Sequence, residues 1–128
     1  MKVAIVGSRT FNDYEKLKEE LFKLNRNRII DVFPVIITGD DEKAKGADRL
    51  ACIYAKRSGL DLIIFKPVNR YVKNAYDLLG NNCYFARNKQ IVDNCDFLIA
   101  FWNGKSGGTK MTINYAKQQN KQYKIIKV

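Results

Sequence analysis

Residues 2–11 read KVAIVGSRTF, a short apolar run that ends in a glycine and a polar turn. An unbroken apolar run of this length is typical of a parallel strand with both faces covered. Similar runs recur along the chain, and together they predict strands at residues 2–6, 35–38, 62–65, 97–102 and 124–128. Strands that alternate with helices indicate right-handed βαβ units and a parallel sheet.

Helical patterns fill the intervals between these strands. The first helix has an apolar stripe from Tyr14 to Leu24. Asn12 is expected to cap this helix, and the Glu15 side chain is expected to bond back to the Asn12 amide, as in a capping box. The second carries apolar residues over 47–55 and should end at Gly59. A third is predicted from about 81 to 94 and a fourth from about 109 to 119, whereas residues 68–79 have no clear assignment.

The chain length fits one domain, and we expect residues 1–128 to form a single Rossmann-like three-layer α/β domain with a mainly parallel five-stranded sheet. No apolar run approaches the roughly 18 residues that a membrane span needs. Met1 leads directly into the first strand without a signal-peptide pattern. These features predict a cytoplasmic protein without a membrane partner.

Cysteine and histidine usage argues against a metal site. Cys52, Cys83 and Cys95 are well separated, form no CxxC pair, and are accompanied by no histidine. Zinc binding and an imidazole base are therefore not expected, and the thiols are interpreted as small buried apolar groups. We predict no metal and no resident cofactor.

The formal net charge of +10 makes a polyanionic partner an open possibility. The basic residues are scattered among acidic ones, however, and no nucleic-acid-binding signature is present. Nucleic acid is kept as an alternative partner to a nucleotide-like small molecule. Self-association into a homo-oligomer is compatible with the sequence.

The residues that follow each strand are the first candidates for a binding site. In an open α/β sheet, ligands bind beyond the carboxyl ends of the strands, near helix N-termini. The turns after the first, second and fourth strands, with the aromatic residue that ends the fourth, supply Gly7, Ser8, Arg9, Thr10, Phe11, Gly39, Asp48, Trp102, Ser106, Gly107, Gly108 and Thr109. Glycines and hydroxyls at a helix start suit phosphate, while Phe11 or Trp102 would offer a stacking face. A plain turn with a solvated Arg9, and a core position for Trp102, stay open.

Arg87 and Asn88 give an independent clue. They interrupt an otherwise apolar face of the third helix, on its half nearer the strand ends. A charge on an inward face must be paired or must face a cleft. Arg87 is therefore expected to line the ligand cleft, the alternative being a structural pair with Asp48 or Asp77.

Four motifs in order resemble the YspA-like family of the SLOG superfamily, which also includes LOG phosphoribohydrolases and the DNA-processing DprA proteins. They are GSRTF at 7–11, TG at 38–39 with KGADRLA at 45–51, ARNK at 86–89, and LIAFWNGKSGGT at 98–109. The resemblance implies a Rossmann-like fold, a nucleotide or nucleotide-derived ligand, and a bacterial or phage origin.

Two departures from this pattern bear on activity. The family usually has a second glycine where this chain has Asp40, and LOG enzymes carry a catalytic Glu shortly after the glycine-rich motif. Here Thr109 is followed by Lys110, Met111 and Thr112, so the carboxylate that an oxocarbenium-like transition state needs is missing. Binding is therefore the favoured function. A nucleotide N-glycosidase using Asp40, Asp41 or Asp48, and DprA-like nucleic-acid binding, are the alternatives.

Overall fold

Strands and helices alternate through the part of the chain that the structure, a computed structural model, describes: residues 1–67 and 83–128. The strands are β1 (Lys2–Gly7), β2 (Val35–Thr38), β3 (Leu62–Ile64), β4 (Phe97–Trp102) and β5 (Gln122–Lys127). The helices are α1 (Tyr14–Arg26), α2 (Ala47–Arg57), α3 (Cys83–Asn94) and α4 (Gly107–Gln118). The predictions for residues 68–79, for Asp77, for a helix start at 81 and for the Cys83 side chain lie outside the described residues.

The five strands form one parallel sheet in the order β3-β2-β1-β4-β5. β1 is central, because Val3 is in register with Ile36 of β2 on one side and with Phe97 of β4 on the other. The strand order reverses between β1 and β4, and a crevice for a ligand is expected at that point of such a sheet. This topology confirms the predicted Rossmann-like α/β class and supplies the strand order, which the sequence does not reveal.

Helices cover both faces of the sheet. On one face α1 and α2 pack residues such as Leu17, Leu21 and Ala51 against Ile5 and Ile99. On the other face α3 and α4 form a second core. Its buried members include Ile91, Val92, Ile113, Ala116, Ala4 and Leu98. Burial on both faces is the reason that the central strands are unbroken apolar runs.

The first helix is capped by Asp13 rather than by the predicted Asn12. The Asp13 carboxylate accepts a hydrogen bond from the amide of Lys16 at 3.0 Å, and Asn12 is exposed. Glu15 does not reach back; it pairs with Lys18 at 3.5 Å. Asp13 is the better cap because its side chain stands directly before the first helical residue, within reach of the third helical amide.

Other element ends differ from prediction by two residues or fewer. α2 ends at Arg57, and Gly59 follows in the left-handed conformation with φ of 66°, as its predicted role as a helix stop requires. α4 begins at Gly107 because Ser106 is its N-cap. β5 begins at Gln122, which is in register with Phe97.

Among the described residues, no helix is long and apolar enough to cross a membrane. Within the same residues, no group of three or more His, Cys, Asp or Glu side chains is arranged to hold a metal ion.

Replacing Asp13 by Ala should lower the free energy of unfolding by about 1 kcal/mol, since one amide at the start of α1 loses its acceptor. Urea denaturation followed by circular dichroism measures this change. Asn12→Ala is the matched control and should change the free energy by less than about 0.5 kcal/mol. Equal losses in the two variants would contradict the cap assignment.

Candidate functional site

A cleft of about 640 Å³ lies at the carboxyl ends of β1, β2 and β4, where the strand order reverses. This volume is in the range of small-molecule binding sites. Its lining comes from the loops after these strands and from the first halves of α2, α3 and α4. The lining residues are Gly7, Ser8, Arg9, Thr10, Asp40, Ala44, Lys45, Asp48, Tyr84, Arg87, Asn88, Asn103, Ser106, Gly108 and Thr109.

The floor of the cleft is made where β1 ends against its neighbours. A Cβ added to Gly7 would collide with the carbonyl oxygen of Phe101 and would lie 2.9 Å from the Cβ of Ala47. The buried Ser8 donates its amide to that same carbonyl at 2.9 Å, and its Oγ accepts the amide of Asn103 at 3.1 Å. Gly7 is thus required by packing within the protein, and Ser8 joins the loop after β1 to the loop after β4.

The N-terminus of α4 opens into the cleft. The first intrahelical hydrogen bond runs from the Lys110 amide to the Ser106 carbonyl at 3.1 Å, so the amides of residues 107–109 precede the helical ladder. The Ser106 side chain makes no capping bond to them. Apart from their chain neighbours and the backbone of α4 itself, no described heavy atom lies within 4 Å of a Cβ placed on Gly107 or Gly108. The space beside these two glycines is therefore open to an anion, whereas Thr109 is buried.

Asn103 holds the loop that leads into this helix. Its side-chain oxygen accepts the amides of Lys105 at 2.8 Å and Ser106 at 2.9 Å. With the bond from its own amide to Ser8, the residue fixes where α4 starts relative to β1.

Arg87 crosses the cleft from α3. Its Nε donates to Asn88 Oδ1 at 2.8 Å, and one terminal nitrogen donates to the carbonyl oxygen of Gly39 at the end of β2. A Cβ on Gly39 would collide with the guanidinium, so glycine at this position makes room for Arg87. A guanidinium carries five N–H donors, and these two bonds leave others to face a ligand.

Asp48, in the first turn of α2, forms the acidic side of the cleft. Its carboxylate accepts the Thr38 hydroxyl at 2.9 Å. Burial raises the pKa of Asp48, against the opposing effects of the Arg87 charge and of hydrogen bonds from Thr38 and Gly39. Burial likewise lowers the pKa of Arg87, although Asp48 and Asp40 favour its charged form. In both groups the loss of hydration outweighs their mutual attraction.

The structure brings most of the predicted site residues together. Gly7, Ser8, Arg9, Thr10, Asp48, Arg87, Asn88, Ser106, Gly108 and Thr109 line the cleft, and Gly39 contacts Arg87. Besides Gly39, three more predicted residues lie outside the lining. Phe11 is 5% exposed and stacks on Phe101, with ring centroids 4.7 Å apart. Trp102 packs against the second core and donates its indole N–H to the Ser106 carbonyl at 3.0 Å, while Gly107 lines a neighbouring groove.

Four lining residues were not predicted, namely Ala44, Lys45, Tyr84 and Asn103, and Asp40 was expected only as an alternative catalytic acid. The guanidinium carbons of Arg9 and Arg87 lie 5.9 Å and 5.7 Å from the centroid of the Tyr84 ring. Asn103 follows a strand directly, a position that could have pointed to it, and Tyr84 shares a helix face with Arg87. Lys45 gives no such signal, because solvated loop lysines look the same in sequence.

A second cleft, of about 610 Å³, lies between α1, the loop that follows it and the end of α2. Its lining includes the carboxylates of Glu15, Glu19 and Asp31 beside the exposed side chains of Phe22 and Val32. Among its described lining residues, one cation, Lys18, stands against these three carboxylates. The cleft at the strand ends therefore has the chemistry suited to a phosphate.

The two cysteines whose side chains are described, Cys52 and Cys95, are buried and unpaired. Burial raises the pKa of each thiol to about 11. They are inert apolar groups, as expected from the sequence for these two.

Gly7→Ala should lower the free energy of unfolding by about 1–3 kcal/mol, because the new methyl group meets backbone and a buried side chain. In the control Gly107→Ala, the new methyl group has open space around it. The free energy of unfolding of this variant should stay within about 0.5 kcal/mol of that of the wild type. Urea denaturation distinguishes the two. If Gly7→Ala were as stable as the wild type, the end of β1 would pack less closely against β4 and the start of α2 than described.

Stability should also depend on the ionisation of Asp48. Its pKa in the folded protein lies above the ordinary 3.8, so folding favours the protonated form. That stabilisation is complete below the unfolded pKa and is lost as pH rises through the folded pKa. Asp48→Asn cannot titrate at this position. The free energy of unfolding of the variant minus that of the wild type should therefore increase as pH rises from below 3.8 to neutrality. A difference that stays constant over this range would contradict the assignment.

Solved structures with the same fold include two DNA processing proteins. The chain matches DNA processing protein A (DprA) from Streptococcus pneumoniae with 24% identity and a TM-score of 0.68, over 97% of this chain and 49% of that one. It matches the Helicobacter pylori DprA, described for its single-stranded DNA binding mode, with 21% identity and a TM-score of 0.63, over 98% of this chain and 64% of that one. The chain thus spans about half to two thirds of these proteins, and the likeness shows the shared fold.

No curated protein matches the chain significantly. The model of a protein family does match, over residues 1–71, which contain β1, α1, β2, α2 and β3. Since the match covers more than half of the sequence, the protein belongs to the YspA, cpYpsA-related SLOG family.

Proposed function

We propose that this protein binds a nucleotide or nucleotide-derived ligand in the cleft at the strand ends, with a phosphate at the N-terminus of α4. Family membership supports nucleotide or nucleic-acid binding in general. The observation that carries the proposal is the meeting of two anion-binding elements across one cleft. Gly108 and Thr109 lie in the first turn of α4, whose N-cap Ser106 makes no side-chain capping bond, and Arg87 lines the same cleft from α3.

The charges in the cleft are divided in a way that suits a nucleotide. The amides at the start of α4, together with Arg9, Lys45 and Arg87, favour a phosphate. Asp40 and Asp48 line the same cleft and would repel one. Carboxylates accept hydrogen bonds from hydroxyl groups, so the ribose is proposed to lie on their side.

Tyr84 is the proposed stacking face for the base. It lines the cleft and is 36% exposed, whereas Phe11 is buried in the core. The guanidinium groups of Arg9 and Arg87 near its ring would place positive charge beside the stacked base and its phosphate.

An N-glycosidase is the second candidate, because Asp40 and Asp48 supply carboxylates in the cleft although α4 has none in its first turn. Incubation with a panel of nucleotides, followed by chromatography for free base, separates the two functions. Release of base that is lost in Asp48→Asn would favour the enzyme. Mass spectrometry of molecules released from the purified protein would at the same time identify a bound ligand class.

Arg87→Ala should weaken binding of AMP, ADP or ADP-ribose, whichever binds the wild type, by about 10- to 100-fold, the value of a charge-assisted hydrogen bond. Isothermal titration calorimetry measures this loss. Arg26→Ala removes an exposed arginine from the end of α1 and should bind like the wild type. Gly39→Ala should weaken binding as well, because the new methyl group displaces the Arg87 guanidinium.

Circular dichroism establishes that each variant is folded before binding is compared. Unchanged affinity in a folded Arg87→Ala protein would show that the ligand does not use this side of the cleft.

A further inference from the structure

A groove lined by α3 and α4 adjoins the cleft at the strand ends. This helix groove has a volume of about 320 Å³. Phe85 and Lys89 line it from α3. From α4 the lining residues are Gly107, Lys110, Met111, Asn114, Tyr115 and Gln118.

The helix groove differs from the cleft in its charge. Among the described residues, Lys89 and Lys110 are the charged side chains that line it, and no described carboxylate does. Asp93, the acid on the same stretch of α3, accepts a hydrogen bond from the Tyr115 hydroxyl at 2.8 Å. The cleft, in contrast, balances its arginines with Asp40 and Asp48. The helix groove is therefore the more strongly cationic of the two surfaces.

Lys89 is held in position by aromatic rings. Its ammonium nitrogen lies 4.4 Å from the centroid of the Phe85 ring and 5.6 Å from that of Tyr115. Lys89 therefore places a phosphate-binding charge next to aromatic side chains in a groove that Lys110 also lines. Grooves that bind single-stranded nucleic acid without sequence preference use this combination.

The helix groove and the cleft meet at the start of α4. Gly107 lines the groove and Gly108 lines the cleft. The two glycines are adjacent in the first turn of α4 and carry no side chain that could separate the two surfaces at that point. A ligand could pass over the helix N-terminus from one surface to the other.

We infer that the helix groove binds a second nucleotide, so that the preferred ligand has at least two nucleotides joined by a phosphodiester. This inference rests on the proposed function, since the first phosphate is assigned to the cleft. The phosphodiester chemistry is shared by a free dinucleotide and by the end of a longer single strand. The formal net charge of +10 favours both over an uncharged ligand.

The test compares AMP, the linear dinucleotide pApA and a single-stranded oligo-adenylate of about eight nucleotides, a length within OB-fold site sizes. Affinities are measured by calorimetry over a series of salt concentrations. The variant is the double substitution Lys89→Gln and Lys110→Gln. The matched control is Lys18→Gln with Lys56→Gln, which removes two exposed charges from α1 and α2.

The wild type should bind pApA at least tenfold more tightly than AMP. The double variant should lose about tenfold for pApA, keep its AMP affinity, and show for the octamer a salt slope shallower by about 1.4, the value for two single-strand phosphate contacts. The control should keep its pApA and AMP affinities. Further tightening with the octamer would indicate a longer strand, and equal affinity for pApA and the octamer would indicate a dinucleotide.

Equal affinity for AMP and pApA in the wild type, or a double variant that binds pApA like the control, would overturn the assignment of the helix groove. Failure of all three probes to bind would instead reject the proposed function of the cleft. Binding of pApA without AMP, lost in the double variant, would support the helix groove and reject the cleft as the primary phosphate site.

Discussion

The close approach of three chain segments around Gly7 and Ser8 is the constraint on which the site depends. The end of β1 packs against β4 so tightly that a methyl group at Gly7 would meet the Phe101 carbonyl. The first residue of α2, Ala47, closes the same point from the other side. Ser8 then fixes the loop after β4 through Asn103. The positions of the starts of α2 and α4 both follow from this contact.

The binding groups are held on that frame by hydrogen bonds within the protein. Arg87 is anchored by the Gly39 carbonyl, and Asp48 by the Thr38 hydroxyl. Burial disfavours the charged form of each group, and the opposite charge of the other works against that effect. Groups anchored in this way lose little freedom on binding, which favours affinity. The amides at the start of α4 contribute in the same way, because the helix fixes their direction.

Much of the fold and the general location of the site could be predicted from the sequence. Unbroken apolar runs identify the strands, and parallel strands bring the loops after them to one edge. The roles of Phe11 and Trp102 were less predictable, since an aromatic residue beside a strand end can turn toward the core or the cleft. Packing against Phe101 decides this for Phe11. Neighbouring polar residues such as Asn12 and Asp13 are equally good caps by composition, and only the exact start of α1 distinguishes them.

The strand order has a consequence for how the protein is made. The central strand β1 is synthesised before the other four strands, yet it pairs with β4, whose partners in register lie more than 90 residues later, such as Val3 with Phe97. Chains emerge from the ribosome N-terminus first, so β1, β2 and β3 are exposed for some time with one edge of β1 unpaired. Such an edge is a template for wrong pairing. Pairing of β4 with β1 and assembly of the cleft are therefore the same late event, which ties the capacity to bind to one long-range contact.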